Sequence, residues 1–426
     1  MQRVRTPSRI GKRLAPLGVV LGFCSALLLS SSTFGKTVTL QWATWGPPLI
    51  DRQLIEAFEK EHPNIRIEYI SSTYSEYHQK MKVLAASGQA PDVFAVDGYY
   101  TAEFATAGLI RPIDDLMGRE TAFRIQDYFP AALLDVQYRD KTYGLPYISA
   151  PNYMVYNLTH LNEAGLPPPD VNWNKESYVE YARKLTRTDG NRVTRWGSTR
   201  YLGWGSFWPW VWSEGGQAFD LANRKFALVE PQALEALQWL ADLEHVIGVA
   251  GPGDFVRQTM SIAQMYPASF PTVTGIEWPF EWDVVVHPGG KSGQYGIWKG
   301  NVMSISPTTQ HLEEAWTFLK FLLGPTSPGH EIYVRNKRFP PQTPDRRLWN
   351  VFQTPGSMPK SLHDVTILLA SQYGRPLPRL LQWDAIVANT IGPALQRIQS
   401  GQMSAKVAME QIRPVVEKLL EAEPRD

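Results

Sequence analysis

The sequence predicts an α/β fold, with the chain divided between two domains or lobes. At 426 residues the chain is too long for one average hydrophobic core. Between residues 38 and 96, short strand-like segments alternate with segments of helical spacing, which is typical of a parallel sheet covered by helices. The chain is also rich in tryptophan, with 15 residues, and four of these lie close together at 203–220.

The first elements can be assigned in chain order. A strand is expected at 38–46, where apolar and polar residues alternate before two prolines. A helix begins at Asp51 and ends before Pro63, and a second strand covers 65–69. A helix with an apolar face on Tyr77, Met81, Leu84 and Ala85 leads to a buried strand at 93–96. This succession predicts the parallel sheet.

Ligands of open α/β sheets sit beyond the carboxyl ends of the strands. This rule places Trp45, after the first strand, at the same rim as Asp97 and Tyr99, which follow the strand at 93–96. An ionised carboxylate there suits the hydrogen-bond donors of a polyol. For Asp97 an alternative is open, in which its side chain caps a helix over 100–107.

The N-terminus predicts export. Five basic residues precede an apolar run at 14–29, and small residues follow as far as Gly35, which is the layout of a signal peptide over 1–35. Cleavage would remove five basic and no acidic residues, which lowers the formal net charge from +1 to −4. The single cysteine, Cys24, lies in this run, where a retained membrane or lipid anchor is the less favoured alternative. The near-neutral charge gives no reason to expect nucleic acid.

The tryptophan-rich stretch at 203–220 predicts a surface for flat, partly apolar ligands. A buried indole N–H needs a partner, so a soluble core rarely concentrates so many tryptophans. Sugar rings offer the matching C–H face. Packing in a core or between lobes is the open alternative for each tryptophan, and Trp204 and Trp212 are expected only to hold the loop in place.

Several segments resemble the family 1 extracellular solute-binding proteins, the maltose-binding-protein-like sugar-binding components of ABC importers. The segments follow one another in the family's order and cover most of the exported chain: APDVFAVDGYYTAEFATAGLIRPIDDL at 90–116, YGLPYISAPNYMVYN at 143–157, LNEAGLPPPDVNWNKESYVEYARKLT at 161–186, GGQAFD at 215–220 and EEAWTFLKFLLGP at 313–325. The stretch 259–289 departs from the pattern, and only Ala263 and Met265 echo it.

The resemblance implies a two-lobed periplasmic-binding-protein-like fold of type II, with each lobe a sheet flanked by helices and hinge segments between them. Lobe 1 is expected to comprise 36–149 and 301–338, and lobe 2 to comprise 150–300 and 339–426. Crossings are expected at 149–153, 299–302 and 339–344, and a helix over 312–323 is expected to return to lobe 1.

The resemblance also implies capture of a sugar or polyol in an interlobe cleft and delivery to the permease of an ABC importer. We expect a monomer without cofactor, catalytic group or metal. The residues expected to bind the ligand are Trp45, Asp97, Tyr99, Tyr147, Trp208, Trp210, Gly216, Trp278, Trp298 and Arg338.

Two other classes of protein are considered. An exported glycoside hydrolase would use carboxylates such as Glu277, Glu281 and Asp283, which lie among tryptophans. A glycan-binding module without transport would present a flat aromatic face, and such modules are usually repeated, whereas this sequence has no repeat. The sequence lacks the phosphate-binding loop of ATPases and the G-x-S-x-G motif, and its eight histidines are scattered.

Overall fold

The computed structural model describes residues 37–45, 48–120, 124–271, 276–324, 327–335 and 359–423. The expected signal peptide, the third crossing at 339–344 and Arg338 lie outside these ranges. Two five-stranded sheets form the framework. Their strands are, in chain order, β1 (Val38–Thr44), β2 (Ile65–Ser71), β3 (Val93–Asp97), β4 (Leu145–Ser149), β5 (Tyr153–Asn157), β6 (Arg187–Asp189), β7 (Arg192–Ser198), β8 (Met260–Met265), β9 (Trp282–Val285) and β10 (Gly300–Ile305).

The first sheet has the strand order β2-β1-β3-β10-β4. Strand β1 pairs in parallel with β2 and β3, as the sequence predicts, whereas β10 is antiparallel to both its neighbours. All five residues of β3 are buried, because helices cover both faces of the sheet. One face packs on Leu54, Phe58 and Phe318, and the other packs on Tyr77 and Phe104.

The second sheet has the strand order β9-β5-β8-β7-β6. Strand β5 is entirely buried and pairs antiparallel with both β8 and β9, while β7 and β8 are parallel. Strands β7 and β8 therefore end at the same edge of the sheet, and their following loops at 199–207 and 266–271 lie near each other. The Tyr266 hydroxyl donates to the Gly205 carbonyl oxygen across these loops, at 2.9 Å.

The helices surround the two sheets. They are α1 (Pro48–Glu61), α2 (Tyr74–Ala86), α3 (Thr101–Thr106), α4 (Asp114–Met117), α5 (Pro130–Val136), α6 (Leu158–Glu163), α7 (Lys175–Leu185), α8 (Trp208–Ser213), α9 (Pro231–His245), α10 (Leu312–Leu323), α11 (Pro328–Arg335), α12 (Leu362–Leu368), α13 (Gly392–Gln399) and α14 (Ala405–Leu420). π-Helical turns cover Leu369–Tyr373 and Asp384–Ile391, and 3-10 turns cover Gly98–Tyr100, Ile125–Asp127, Ala227–Val229 and Pro267–Ser269. No helix of the described ranges is long and apolar enough to cross a membrane.

Two predicted helices show how the local sequence sets their ends. Helix α10 spans the predicted residues 312–323, and its buried face includes Trp316, Phe318 and Leu319. Helix α7 begins at a capping box, in which the Asn174 side chain accepts from the Ser177 N–H and the Ser177 hydroxyl accepts from the Asn174 N–H. This capping box satisfies backbone donors that helix α7 itself leaves free.

The chain passes between the sheets twice within the described residues, at 150–152 and at 298–299. The two passages run side by side, since the Ala150 N–H donates to the Lys299 carbonyl at 2.5 Å and the Asn152 N–H donates to the Ile297 carbonyl at 2.9 Å. Beside them the segment Gly296–Ile297 pairs in parallel with Gly374–Arg375. The C-terminal helices α13 and α14 pack against α9, on the side of the second sheet.

Candidate functional site

Asp97 is the polar centre of the region between the two sheets. It is the last residue of β3 and is fully buried. Its Oδ2 atom accepts from the Tyr74 hydroxyl at 2.5 Å and from the Tyr99 hydroxyl at 2.8 Å, and its Oδ1 atom accepts from the Asn301 side-chain amide. The alternative in which Asp97 caps the next helix is wrong, because its side chain makes no capping hydrogen bond.

A lysine from the second passage neutralises this carboxylate. The Lys299 ammonium lies 3.4 Å from Asp97 Oδ1 and 3.2 Å from the Tyr74 hydroxyl. Burial alone would raise the pKa of Asp97, but the Lys299 charge, together with His78 and the two tyrosine hydroxyls, holds that pKa below its ordinary value. Asp97 is therefore ionised at neutral pH.

His78 contacts the backbone of Asp97. Its Nε2 atom accepts from the Asp97 backbone N–H at 3.1 Å, so the ring proton is carried on Nδ1. Burial lowers the pKa of His78 to about 4, against the opposing effect of the Asp97 charge. His78 is thus neutral at physiological pH, which leaves Lys299 as the cation that contacts Asp97.

Aromatic rings surround these polar groups from both sides. On the side of the first sheet, the Trp45 ring meets Tyr74 and Tyr77 edge to face, at centroid distances of 5.6 and 4.7 Å. Tyr99 packs on Trp383 at 4.5 Å and faces Trp204 at 6.3 Å. Trp204 is 38% exposed, whereas most large aromatic side chains of the structure are buried. Flat aromatic faces therefore lie beside polar groups that can form hydrogen bonds with ligand hydroxyls. This combination is typical of small-molecule sites.

The C-terminal segment brings Trp383 into this group. Glu423 is buried, and its carboxylate accepts from the backbone N–H groups of Leu381 and Gln382, at 2.8 to 3.2 Å. Asp384 then accepts from the Tyr100 hydroxyl at 2.5 Å and pairs with Lys82 at 3.1 Å. These contacts hold both neighbours of Trp383, Gln382 through Glu423 and Asp384 through Tyr100 and Lys82.

Trp45, Asp97 and Tyr99 are the predicted residues that the structure brings together. Tyr147, Trp208 and Trp298 are fully or almost fully buried. Trp208 lies behind the site, stacked on Trp383 at 6.2 Å, and its indole N–H donates to the Trp204 carbonyl at 2.7 Å. Trp298 packs on Phe129 at 5.7 Å within the second passage.

The structure places Trp210 in the core of the second lobe rather than on the wall of the site. The ring is 2% exposed and contacts Tyr178, Tyr201 and Trp239, with centroids at 4.9 to 5.4 Å. Its apolar faces are therefore covered by neighbouring side chains. The expected roles within 203–220 are corrected accordingly: Trp204, which we expected only to support the loop, is the exposed ring.

Gly216 does not present its backbone to the site. A Cβ atom there would lie 2.9 Å from the Ala233 nitrogen and from Val211 Cγ1, so the missing side chain permits close packing of α8 on α9. The positive φ of this turn, 86°, belongs to Gly215.

Trp278 belongs to a separate aromatic group in the second lobe. Its ring packs on Phe255, Phe280 and Trp282 at 4.5 to 5.7 Å. It also lines a cavity of about 540 Å³, together with Gln264 and Met265. Both side-chain amide atoms of Gln264 are buried without a hydrogen-bond partner among the described residues.

The carboxylates considered for glycoside hydrolysis do not form an acid–nucleophile pair in a cleft. Asp283 is buried and accepts from the backbone N–H and the hydroxyl of Ser361, at 3.1 and 3.0 Å, while Glu277 and Glu281 are exposed. Burial raises the pKa of Asp283. Across the ranges that the structure covers, no three His, Cys, Asp or Glu side chains are placed to hold a metal ion.

Besides Trp204, five contributors to the site were not selected from the sequence. They are Tyr74, His78, Tyr266, Lys299 and Trp383. The signal for Lys299 was available, since it is the first residue of the predicted second crossing at 299–302. Trp383 gave no such signal, because its position depends on contacts of the C-terminal segment with Lys82, Tyr99 and Tyr100, which lie 284 to 302 positions earlier in the chain.

The structure has two β-sheets that are flanked by helices and joined by two adjacent passages. Buried polar groups and aromatic rings lie between the sheets. These features define a two-lobed binding protein. The chain belongs to the bacterial extracellular solute-binding protein family, which matches residues 46–327. Proteins of this family bind solutes outside the cell.

Individual proteins extend the match over more of the chain. An uncharacterized lipoprotein in the oleD 5′ region of Streptomyces antibioticus is 24% identical over 75% of this chain and 73% of its own length. The multiple sugar-binding protein of Streptococcus mutans is also 24% identical, over 73% of this chain and 78% of its own.

A solved structure shows the same fold. The ABC substrate-binding protein Lmo0181 from Listeria monocytogenes, in complex with cycloalternan, superposes with a TM-score of 0.80. The superposition covers 91% of this chain and 100% of that chain at 19% identity. The two-lobed architecture implied by the sequence is thereby confirmed.

Proposed function

We propose that this protein captures a sugar or a sugar-like polyol between its two lobes and delivers it to the permease of an ABC importer. The observation that carries the proposal is the buried Asp97 at the end of β3, bonded to two tyrosine hydroxyls and a lysine and flanked by Trp45, Trp204 and Trp383. The similarity to a multiple sugar-binding protein supports the same ligand class.

The polar groups of the site define how a ligand would be held. Both oxygens of Asp97 already have partners. We therefore assign the first contacts with ligand hydroxyls to the Tyr74 hydroxyl and the Lys299 ammonium, and Asp97 serves to orient both groups. The exposed ring of Trp204 supplies the apolar face against which a sugar ring stacks.

The lobe boundaries form part of this proposal. We assign 36–149 and 301–338 to lobe 1 and 150–300 and 339–426 to lobe 2, with the paired passages at 150–152 and 298–299 as the hinge. Closure of the lobes about such a hinge buries the ligand, and a permease that recognises the closed state then receives only loaded protein.

The sequence supports two further parts of the proposal, the location of the protein and its need for a separate ATPase. We propose that residues 1–35 direct the chain to the periplasm or another extracytoplasmic location, with a lipid anchor at Cys24 as the less favoured form. The energy for transport comes from a separate ATPase. We infer that the protein acts as a monomer that neither binds nucleic acid nor catalyses a reaction.

A thermal-shift screen tests the proposed function. A ligand that binds only the folded protein raises the melting temperature, so a panel of sugars and polyols should contain at least one that stabilises the mature chain in a saturable manner. Calorimetry then gives the stoichiometry, which we expect to be one ligand per chain. Release of reducing sugar from glycosides during the same incubation would instead support the hydrolase, and absence of stabilisation across the panel would contradict the proposal.

A further inference from the structure

Lys299 occupies an aromatic cage inside the site. Its ammonium lies 5.2 Å from the ring centroid of Tyr99, 5.3 Å from that of Tyr74 and 6.0 Å from that of Tyr266. These distances are within the range of a cation–π interaction. The Lys299 side chain is 17% exposed, so the cage is largely shielded from water.

The cage does not depend on the lysine for its shape. Tyr74 and Tyr99 are each held by a hydrogen bond to Asp97, and their hydroxyls lie 2.9 Å apart. Tyr266 is fixed by its hydrogen bond to the Gly205 carbonyl. Three rings and one buried carboxylate form the arrangement by which proteins bind quaternary ammonium groups.

We propose that Lys299 is a specificity residue that fills this cation subsite with the protein's own charge. The proposal rests on the function assigned above, because it concerns the same site. With the subsite occupied, an amine or a quaternary ammonium ligand meets a fixed like charge, whereas a neutral polyol meets a hydrogen-bond donor. Specificity is thus obtained through a repulsive element as well as through attractive contacts.

Removal of the lysine should reverse this preference. A shortened side chain leaves Asp97 as a buried carboxylate without its ammonium partner, which is strongly unfavourable until another cation arrives. The vacated cage faces that same carboxylate. A small cation that fits between the rings therefore gains both the cation–π contacts and the ionic contact that Lys299 made.

The test uses choline chloride as the probe and sodium chloride as the ionic-strength control. Lys299→Ala should bind choline at least about tenfold more tightly than wild type, by calorimetry and by thermal shift. Lys299→Met, which refills the cage with an uncharged chain, should show no such gain. Lys320→Ala is the matched control, because Lys320 also pairs with a carboxylate, Glu120, and lies 5.6 Å from the Trp316 ring, but outside the site.

Two outcomes overturn the proposal. One is a folded Lys299→Ala protein whose affinity for choline stays within about twofold of wild type. The other is saturable binding of choline by the wild type itself. If Lys299→Ala does not fold, Lys299→Ser provides the same comparison, because its short side chain also vacates the cage.

Binding of sugars by the wild type is measured in parallel. A wild type that binds a sugar while Lys299→Ala gains nothing refutes only the role of Lys299. A gain of choline binding in a protein that binds no sugar or polyol refutes only the proposed function.

Discussion

Trp204 and Trp210 are six residues apart in the chain but have different environments. Trp204 is partly exposed beside Tyr99 and Trp383, whereas Trp210 is enclosed by Tyr178, Tyr201 and Trp239. Sequence alone could not separate them, because both rings belong to one dense aromatic segment. The burial of each ring decides which one can contact a ligand.

Substitution of Trp204 should therefore affect ligand binding, whereas substitution of Trp210 should affect the free energy of unfolding. Trp204→Ala should weaken ligand binding by about 1–3 kcal/mol through lost apolar contact, with little change in the free energy of unfolding. Trp210→Ala should instead lower the free energy of unfolding by about 3–5 kcal/mol, because it leaves a cavity in the core. Calorimetric titration and urea unfolding of both variants measure the two quantities. Equal losses of affinity with unchanged stability would contradict the assignment.

Asp135 is a buried carboxyl group, and we expect it to make the stability of the protein depend on pH. It is buried between Gly98 and Gly300, so close that neither glycine could carry a Cβ atom without displacing its carboxylate. Burial raises the pKa of Asp135 to about 8, despite the opposing charge of Arg379. The folded protein therefore holds a proton that the unfolded chain has already released above about pH 4.

The contribution of Asp135 to stability should be fully present below pH 4 and should be lost as the pH rises to about 8. Asp135→Asn, which cannot ionise, should lack this component. Urea unfolding at pH 5 and pH 8 should therefore show a larger decrease in the free energy of unfolding for wild type than for the variant. The same decrease in both proteins would show that Asp135 is ionised in the folded state.

At the scale of elements, the C-terminal segment connects the two sides of the site. Lys82 on α2 pairs with Glu103 at 2.8 Å and with Asp384 at 3.1 Å, and Asp384 also accepts from Tyr100. Asp384 precedes the C-terminal helices that pack on α9. The ion pair and hydrogen bond therefore favour the arrangement in which Trp383 covers Tyr99.

Asp384→Ala should reduce ligand affinity without removing any group that contacts the ligand. Partly exposed ion pairs contribute little individually, so we expect a loss of about 1 kcal/mol, or about fivefold in affinity. Glu180→Ala is the control, since Glu180 pairs with Lys184 on the exposed face of α7. Calorimetric titration of both variants makes the comparison, and an affinity of Asp384→Ala equal to that of Glu180→Ala would rule out the proposed effect of this contact.

The elements differ in how well the sequence predicted them. Strands β1 to β3 were predictable because apolar alternation and prolines mark them locally, whereas helix α10 was expected from the family resemblance. The rim formed by Trp45, Asp97 and Tyr99 followed from the topology of a parallel sheet. The positions of Trp383 and Tyr266 could not be derived in this way, because contacts distant in sequence set them. The burial of Trp210 could not be predicted either, because it also depends on contacts with residues distant in sequence.

At the scale of the whole molecule, the site lies where the two sheets and the C-terminal segment meet. Asp97 comes from the first sheet, Lys299 from a passage between the sheets, Trp204 and Tyr266 from loops of the second sheet, and Trp383 from the C-terminal segment. A change in the angle between the sheets would therefore change the distances among all of these groups. Under the proposed function, a hinge at the passages would in this way couple ligand capture to the shape of the molecule.

Amide hydrogen exchange with and without the stabilising sugar tests the central claim most directly. If the ligand binds between the sheets, exchange should slow at 98–101, at 203–206 and at the passages 150–152 and 298–299, since binding and closure suppress local opening there. Protection confined to the cavity beside Gln264 and Trp278, with exchange at 98–101 unchanged, would contradict the assignment of the ligand to the site around Asp97.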